Sequence, residues 1–260
     1  MQNNQVKILA VGDVVGVAGV ECITRKLRKV KLAEKADIVI VNAENAAPSN
    51  GLDQRSAELI LDSGADVLTG GNHTLKRRDV YDYLNDNENV LRPLNYQAAC
   101  PGRGYAELML PSAMKLLVAN VAGQLFMDTP ESPFSAMEKL LDSKKYDICV
   151  VDIHAEATSE KAAFAKYFDG RVQCVFGTHT HVQTADETLL PKGGAFITDI
   201  GMCGAEDSIL GIKNENVINK FLTREYFPFE SPCGNTVLCG AVFTVDLSTK
   251  CTTDIKRIKY

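Results

Sequence analysis

Five short apolar runs in the first 181 residues each end in a carboxylate, an amide or an imidazole. The runs and the residues that follow them read ILAVGD, IVIVNAEN, VLTGGNH, ICVVDIH and VQCVFGTHTH. Runs this apolar are typical of strands buried on both faces, and helical patterns lie between them. The alternation predicts an α/β fold in which the polar groups converge at one edge of a sheet.

These strand ends present eight polar residues, among them all four histidines of the chain: Asp13, Glu44, Asn45, Asn72, His73, His154, His179 and His181. Taken alone, a strand-end aspartate is often a helix cap and a single histidine is often a core or surface residue. Their repeated occurrence in one context favours a shared site, and oxygen and imidazole groups without thiolates suit metal ions. Residues two apart in an extended backbone point the same way, so the H-x-H of GTHTH is expected to face one site.

The rest of the chain continues the alternation of elements. Asp53 is predicted to cap a helix that runs to Leu61, and Thr158 or Ser159 to cap a helix over 160–168. Two hairpins are expected, one pairing 105–110 with 116–121 and one pairing 188–190 with 195–198. No linker-like or low-complexity segment divides the chain, so residues 1–260 are predicted to form a single domain.

Composition excludes several classes of function. The net charge is −5 with both signs interspersed, which argues against general nucleic-acid binding and against a basic membrane-binding surface. No apolar run approaches the ~20 residues that span a bilayer, and the N-terminus lacks the pattern of a signal peptide. None of the eight cysteines forms a C-x-x-C pair. Reduced, packing cysteines and a cytoplasmic location are therefore expected.

As an ordered set, the motifs VGDVVG, NAEN, GGNH, DIHAEATSEK and GTHTHVQTAD identify a family. They resemble the bacterial calcineurin-like metallophosphoesterases of the cyclic-nucleotide phosphodiesterase subgroup, from Asp13 to Asp186. The wider superfamily differs at three places: Val15 stands where D-x-H has its histidine, Glu44 replaces a bridging aspartate, and Thr74 replaces an acid. The subgroup shares these departures, so they narrow the identification.

The resemblance implies a metallophosphoesterase-type α/β sandwich, with two packed mixed sheets flanked by helices. It also implies two metal ions, iron or manganese, with zinc as a further candidate. Glu44 would bridge the two ions, because an anion between like charges is favourable. The first ion would take Asp13, Glu44, Asn45 and His181, and the second Glu44, Asn72, His154 and His179.

The activity implied is hydrolysis of small phosphodiesters by metal-activated hydroxide. The expected substrates are 2′,3′-cyclic nucleotides, with 3′,5′-cyclic nucleotides as a second candidate. His73 would assist the leaving oxygen, or else would only orient Asn72. Some relatives assemble into oligomers, which makes a homo-oligomer an expectation.

Two alternative functions stay open. One is a phosphomonoesterase or nuclease of the same superfamily, and Lys76, Arg77 and Arg78 are the nearest cations for a monoester dianion. The other is a regulatory protein with a vestigial metal site, which the complete ligand set disfavours.

Four further acids have open roles. Glu156 follows His154, and Glu160 is expected to favour the start of a helix. Asp186 and Asp199 would either orient a ligand imidazole or stabilise turns.

Overall fold

The computed structural model describes residues 4–260, which form two β-sheets and six α-helices. The helices are α1 (Gly16–Glu34), α2 (Gln54–Asp62), α3 (Tyr81–Asp86), α4 (Pro133–Ser143), α5 (Thr158–Tyr167) and α6 (Asn214–Thr223). The strands are β1 (Gln5–Val11), β2 (Asp13–Val14), β3 (Ile38–Asn42), β4 (Val67–Thr69), β5 (Tyr105–Met109), β6 (Lys115–Ala122), β7 (Ile148–His154), β8 (Cys174–Thr178), β9 (Thr188–Leu189), β10 (Ala195–Ile197), β11 (Met202–Ala205), β12 (Thr236–Asp246) and β13 (Cys251–Lys259). None of the helices in this part of the chain is long and apolar enough to cross a membrane.

Both sheets contain parallel and antiparallel neighbours. The first has the order β2-β11-β12-β1-β3-β4, with β13 on the other side of β12, and the second has the order β5-β6-β7-β8-β10-β9. The two predicted hairpins are present as the antiparallel pairs β5–β6 and β9–β10. The predicted fold class, two packed mixed sheets flanked by helices, is confirmed.

Side-chain alternation along the strands produces four layers. On β1, Ile8 faces the second sheet and shares a buried cluster with Phe176, while Leu9 faces outward and packs with Leu27 of α1. On the far side of the second sheet, Phe164 of α5 packs in a third cluster. Each fully buried side chain of this size contributes about 1.5–3 kcal/mol. These buried clusters therefore hold the two sheets face to face between the helices.

Only one of the two predicted N-caps is found in the structure. Asp53 Oδ1 accepts a hydrogen bond of 2.7 Å from the Ser56 backbone N–H, as predicted for an N-cap. The cap predicted at Thr158 or Ser159 is wrong, because α5 begins at Thr158, which places both residues in its first turn after Ala157. A 3-10 turn, Arg78–Val80, directly precedes α3.

The eight cysteines are free thiols. Cys149 and Cys174 lie in the apolar cores, as expected for packing residues. Burial raises the pKa of both, that of Cys174 to about 12. These two thiols therefore stay protonated and behave as small apolar groups.

Parallel pairing aligns the strand ends that carry the polar motifs. Asn42 at the end of β3 is in register with Thr69 at the end of β4, and His154 of β7 with Thr178 of β8. Asp152 joins the two sheets at this edge, since its carboxylate accepts hydrogen bonds from Thr69 Oγ1 (2.5 Å) and Asn42 Nδ2 (2.9 Å). The polar ends of both sheets therefore meet in one place.

Candidate metal centre

The predicted ligands do meet at the aligned strand ends. Two groups of side chains place ligand atoms within 4.8 Å of one another: Glu44 with His154 and His179, and Asp13 with Glu44 and His181. Glu44 belongs to both groups. This is the same division that the family resemblance implies.

Glu44 lies at the centre of the arrangement and is almost fully buried. Its Oε2 is 3.2 Å from His154 Nε2, and its Oε1 accepts a hydrogen bond of 2.6 Å from Asn45 Nδ2. Asn72 contributes its amide from the other side, with Oδ1 3.0 Å from His154 Nε2. Carboxylate, amide and imidazole groups are thus brought together around one carboxylate.

The tautomer of His154 follows from its neighbours. The Thr178 hydroxyl donates its single hydrogen to Asp152 Oδ1 at 2.7 Å. Its contact of 2.9 Å with His154 Nδ1 therefore needs the ring to be the donor. With Nδ1 fixed as a donor, Nε2, the atom that faces Glu44, is the nitrogen that would lose its proton to bind a metal ion.

The other two imidazoles are oriented in the same manner. His181 Nδ1 donates to the Leu210 carbonyl oxygen at 3.0 Å, which leaves Nε2 facing Asp13. His179 Nε2 lies 3.0 Å from a Glu156 carboxylate oxygen, and its Nδ1 is 3.1 Å from His154 Nε2. The two histidines of GTHTH therefore present different ring nitrogens to the centre.

Two buried oxygen atoms in the centre have no hydrogen-bond partner among residues 4–260. They are Asp13 Oδ1 and Asn45 Oδ1. A buried unpaired polar atom costs free energy unless a ligand satisfies it. Both atoms belong to the group predicted to hold the first metal ion. The donor set therefore fits a bound cation.

Gly71 lets the backbone approach the centre closely. A Cβ at this position would lie 2.3 Å from both Glu44 Oε2 and His154 Nε2. Any side chain would fill the space between the shared carboxylate of Glu44 and the imidazole of His154. Glycine is therefore required at this position for the backbone of GGNH to pass so close to the centre.

The electrostatics of the centre favour added positive charge. Burial opposes a charge on His154, but Glu44 and Asp13 outweigh it and raise the pKa of His154 to about 9. Burial alone would raise the pKa of Glu44, yet His154 and His73 hold it well below its usual range. Burial raises the pKa of Asp13 despite the nearby imidazoles. Burial, with His154 alongside, lowers the pKa of His179 to about 3, so this ring is neutral and able to bind a cation.

The backbone of GTHTH differs from the extended segment that the sequence predicts. His179 has φ 95° and His181 has φ 64°, both in the left-handed region. For residues other than glycine this region costs on the order of 1–3 kcal/mol each. The two rings do face one site, but they do so through a strained turn.

A buried ion pair that the sequence reasoning missed holds this turn. Asp199 Oδ2 accepts hydrogen bonds from the Thr180 backbone N–H (3.1 Å) and hydroxyl (2.8 Å) and from Lys161 Nζ (3.0 Å). Lys161 also donates to the Thr178 carbonyl oxygen at 2.7 Å. Both charged side chains are fully buried. A signal existed, because Lys161 shares the helical spacing of core-facing Phe164 and Phe168.

His73 stands at the mouth of the centre. Its backbone N–H donates to Glu44 Oε2 at 2.9 Å, and its ring Nδ1 lies 3.2 Å from Glu44 Oε1. The side chain is about one-third exposed, at 34%. It lines a cleft of about 340 Å³ together with Leu210 and Phe229. The ring is therefore reachable from solvent beside the predicted ligands.

The four acidic residues whose roles the sequence leaves open make different contacts in the structure. Glu156 orients the His179 ring, as described above. Glu160 accepts hydrogen bonds from the backbone N–H groups of Gln124 (2.8 Å) and Leu125 (3.2 Å), so it ties a loop to α5. Asp186 stabilises a turn by accepting from the Thr198 backbone N–H at 3.2 Å. Asp199 acts on the turn of GTHTH and not on an imidazole.

Known proteins are similar to this protein along almost the whole chain. The sequence pattern of YmdB-like proteins matches residues 9–258. The chain is 40% identical over 254 residues to the 2′,3′-cyclic-nucleotide 2′-phosphodiesterase of Bacillus subtilis strain 168, which covers 97% of this chain and 96% of the relative.

Two solved structures are very similar. A hypothetical protein from Thermus thermophilus superposes with a TM-score of 0.92 at 39% identity, covering 98% of this chain and 99% of that chain. A novel phosphatase from Mycoplasma pneumoniae superposes with a TM-score of 0.91 at 35% identity, covering 100% of this chain and 94% of that chain.

The fold and these relatives define a phosphoesterase of the metallophosphoesterase type, which confirms the resemblance seen in the motifs. The chain belongs to the YmdB-like protein family. The enzyme class that its relatives support is the hydrolases of phosphoric esters. The two groups of ligand atoms agree with a metal-dependent member of that class.

Proposed function

We propose that this protein is a dinuclear-metal phosphodiesterase that hydrolyses small phosphodiesters, with 2′,3′-cyclic nucleotides as substrates. One observation carries the proposal: Glu44 is shared by two groups of ligand atoms, next to an accessible His73. The name of the B. subtilis relative supports the choice of substrate.

Asp13, Glu44, Asn45 and His181 would hold one metal ion, and Glu44, Asn72, His154 and His179 the other. Bound ions would lower the pKa of water and stabilise negative charge on the phosphoryl oxygens. We keep iron or manganese as the expected metals, with zinc as the third candidate. Thr178, Leu210 and Glu156 keep the three ligand imidazoles in the tautomers that this role needs.

His73 would donate a proton to the leaving oxygen. Its contact with Glu44 Oε1 holds the ring at the edge of the centre, while its exposed side faces the cleft where a substrate would lie. General acid catalysis of this kind contributes about 10²–10⁴-fold to a rate. Opening of a 2′,3′-cyclic phosphate at the 2′ oxygen would release a nucleoside 3′-phosphate.

Charge favours a diester over a monoester. A monoester dianion needs more cationic contacts than a diester, and Arg77 is one of three candidates for them. Its guanidinium pairs with Asp79 at 2.7 Å, so its charge is already compensated. The pairing removes Arg77 from the three candidates and so favours a diester, while Lys76 forms no ion pair among residues 4–260 and stays open to a substrate.

The test is a substrate panel with protein reconstituted in Fe²⁺, Mn²⁺ or Zn²⁺. We expect two metal ions per chain, and faster hydrolysis of 2′,3′-cyclic AMP than of 3′,5′-cyclic AMP or p-nitrophenyl phosphate. Faster hydrolysis of the monoester would favour a phosphomonoesterase. Two bound metals without hydrolysis of any substrate would favour a regulatory protein.

The proposal includes a cytoplasmic location and a chain that works as one domain over residues 1–260. It also includes a homo-oligomer, which light scattering would test.

A further inference from the structure

An aromatic cavity of about 720 Å³ lies beside the candidate metal centre. We refer to it as the aromatic pocket. Its walls are α6, the turn 209–212, the segment 226–230, residues 48–50 and Lys76. No residue of the metal-ligand set lines it.

The aromatic pocket is continuous with the cleft of the metal centre. Leu210 and Phe229 line both spaces. The Leu210 carbonyl oxygen accepts the hydrogen bond from His181, and the Lys76 backbone N–H donates to the His73 carbonyl oxygen at 3.0 Å. A small ligand can therefore extend from the metal centre, past the proposed acid, into the pocket.

The walls carry aromatic faces and compatible charge. Four aromatic side chains line the pocket: Phe221, Tyr226, Phe227 and Phe229. Among residues 4–260, neither Lys76 nor Lys220 forms an ion pair, so the pocket walls are electrostatically compatible with an anionic ligand whose phosphate lies in the neighbouring cleft. The walls are tied together, because Asn216 Nδ2 donates to the Pro228 carbonyl oxygen at 2.9 Å.

We infer that the aromatic pocket holds the base of a nucleotide substrate while the phosphate of that substrate lies at the metal centre. This inference rests on the proposed function. Every base has an aromatic face, so stacking on these side chains gives affinity with little preference between bases. The continuity with the cleft favours a ligand that occupies both spaces over a second copy of the chain.

The test compares substrates with and without a base. We would measure hydrolysis of 2′,3′-cyclic AMP and of methyl riboside 2,3-cyclic phosphate by the wild type and by Phe221→Ala, with Phe229→Ala as a second variant. Loss of one stacking contact is expected to lower kcat/KM for the cyclic nucleotide by about 5- to 150-fold. The change should appear in KM, and the baseless substrate should be unaffected by Phe221→Ala.

Leu222→Ala is the matched control. Leu222 is the next residue on α6 and is similarly exposed, 76% against 84% for Phe221, but it does not line the pocket. Its kinetics should equal those of the wild type. If Phe221→Ala and Leu222→Ala both dissociate an oligomer and neither changes KM, the face is a subunit contact and the inference is wrong.

Binding separates this inference from the proposed function. Calorimetry with adenosine 3′-monophosphate and metal-loaded protein should give weaker binding to Phe221→Ala even if no cyclic nucleotide is hydrolysed. Hydrolysis of both substrates at equal rates by the wild type would overturn the base site and leave the diesterase standing. Absence of both binding and hydrolysis would overturn both.

Discussion

The metal centre and the aromatic pocket are neighbours that are built in opposite ways. The centre takes its residues from the ends of both sheets, and Asp13, Glu44 and His154 are almost completely buried. The pocket takes its main wall from α6, none of whose residues is buried. Buried groups that form several hydrogen bonds keep a fixed geometry. Exposed elements with few contacts change conformation more easily. Fixed geometry suits a metal centre, and an adjustable aromatic wall suits the binding of varied bases that we infer.

The largest expected effect is loss of the Glu44 carboxylate, which both groups of ligand atoms share. Glu44→Ala should abolish hydrolysis, because it removes the ligand shared by both predicted ions. Asp13→Ala should act in the same way through the first ion. Metal content and turnover would be measured together, with Glu21→Ala on the exposed surface of α1 as a control. Full activity of either variant with bis-p-nitrophenyl phosphate would disprove the ligand assignment.

Removal of the proposed acid should separate metal binding from turnover. His73→Ala keeps the backbone N–H that bonds Glu44, so both metals should remain while hydrolysis of 2′,3′-cyclic AMP falls by about 10²–10⁴-fold. Bis-p-nitrophenyl phosphate has a good leaving group that needs little help from an acid, and its rate should fall much less. An equal loss on both substrates, or loss of metal, would contradict the role.

Disruption of the Lys161–Asp199 ion pair should show how far the geometry of the metal centre depends on the turn that this pair holds. Lys161→Met leaves the Asp199 charge buried without its partner, which typically costs about 3–5 kcal/mol of unfolding free energy. The turn that carries His179 and His181 should loosen as well, and metal affinity should fall.

Denaturant unfolding and metal titration would measure the two effects of that change. Lys166→Met, on the exposed side of the same helix, is the matched control and should leave both unchanged. If Lys161→Met is too unstable to purify, Asp199→Asn keeps the shape of the side chain and still weakens the pair. Unchanged metal affinity in an otherwise destabilised variant would show that the pair supports the fold and not the centre.

The smallest effect is expected at the rim of the centre. Glu156 is half-exposed, and its contact with His179 Nε2 fixes the tautomer of that ring. Glu156→Ala should weaken metal binding by about tenfold, at the lower end for groups that orient ligands. Glu156→Gln keeps an acceptor and should retain most of the affinity. A loss as large as that of Glu44→Ala would place Glu156 among the ligands.

The sequence predicts the buried region far better than the exposed one. The end of a strand that is apolar on both faces can be recognised in the sequence, because the apolar run stops there. The convergence of Asp13, Glu44 and His154 then follows from the order of the strands and their parallel pairing. The Lys161–Asp199 pair is harder to predict from the sequence, because the two residues are 38 positions apart and meet only when α5 packs on the sheet. The positive φ of His179 cannot be predicted from its residue type, because few residues other than glycine adopt this conformation.

Nothing in the sequence predicts the aromatic pocket. Val217, Ile218, Phe221 and Leu222 recur at helical spacing along α6, and a helix with such an apolar face is normally expected to bury it. In the structure Phe221 and Leu222 face outward, and the wall is completed by residues 226–230 through the bond from Asn216 to Pro228. That closure depends on loop geometry, for which the sequence carries no periodic signal.

The turn 209–212 has a consequence for regulation. Its Leu210 carbonyl holds a predicted metal ligand, and its side chains line both the cleft and the pocket. Binding free energies at two linked sites obey reciprocity, so any factor by which a nucleotide tightens metal binding equals the factor by which metal tightens the nucleotide. A nucleotide that tightens metal binding through this turn would make the enzyme retain its ions best while substrate is present.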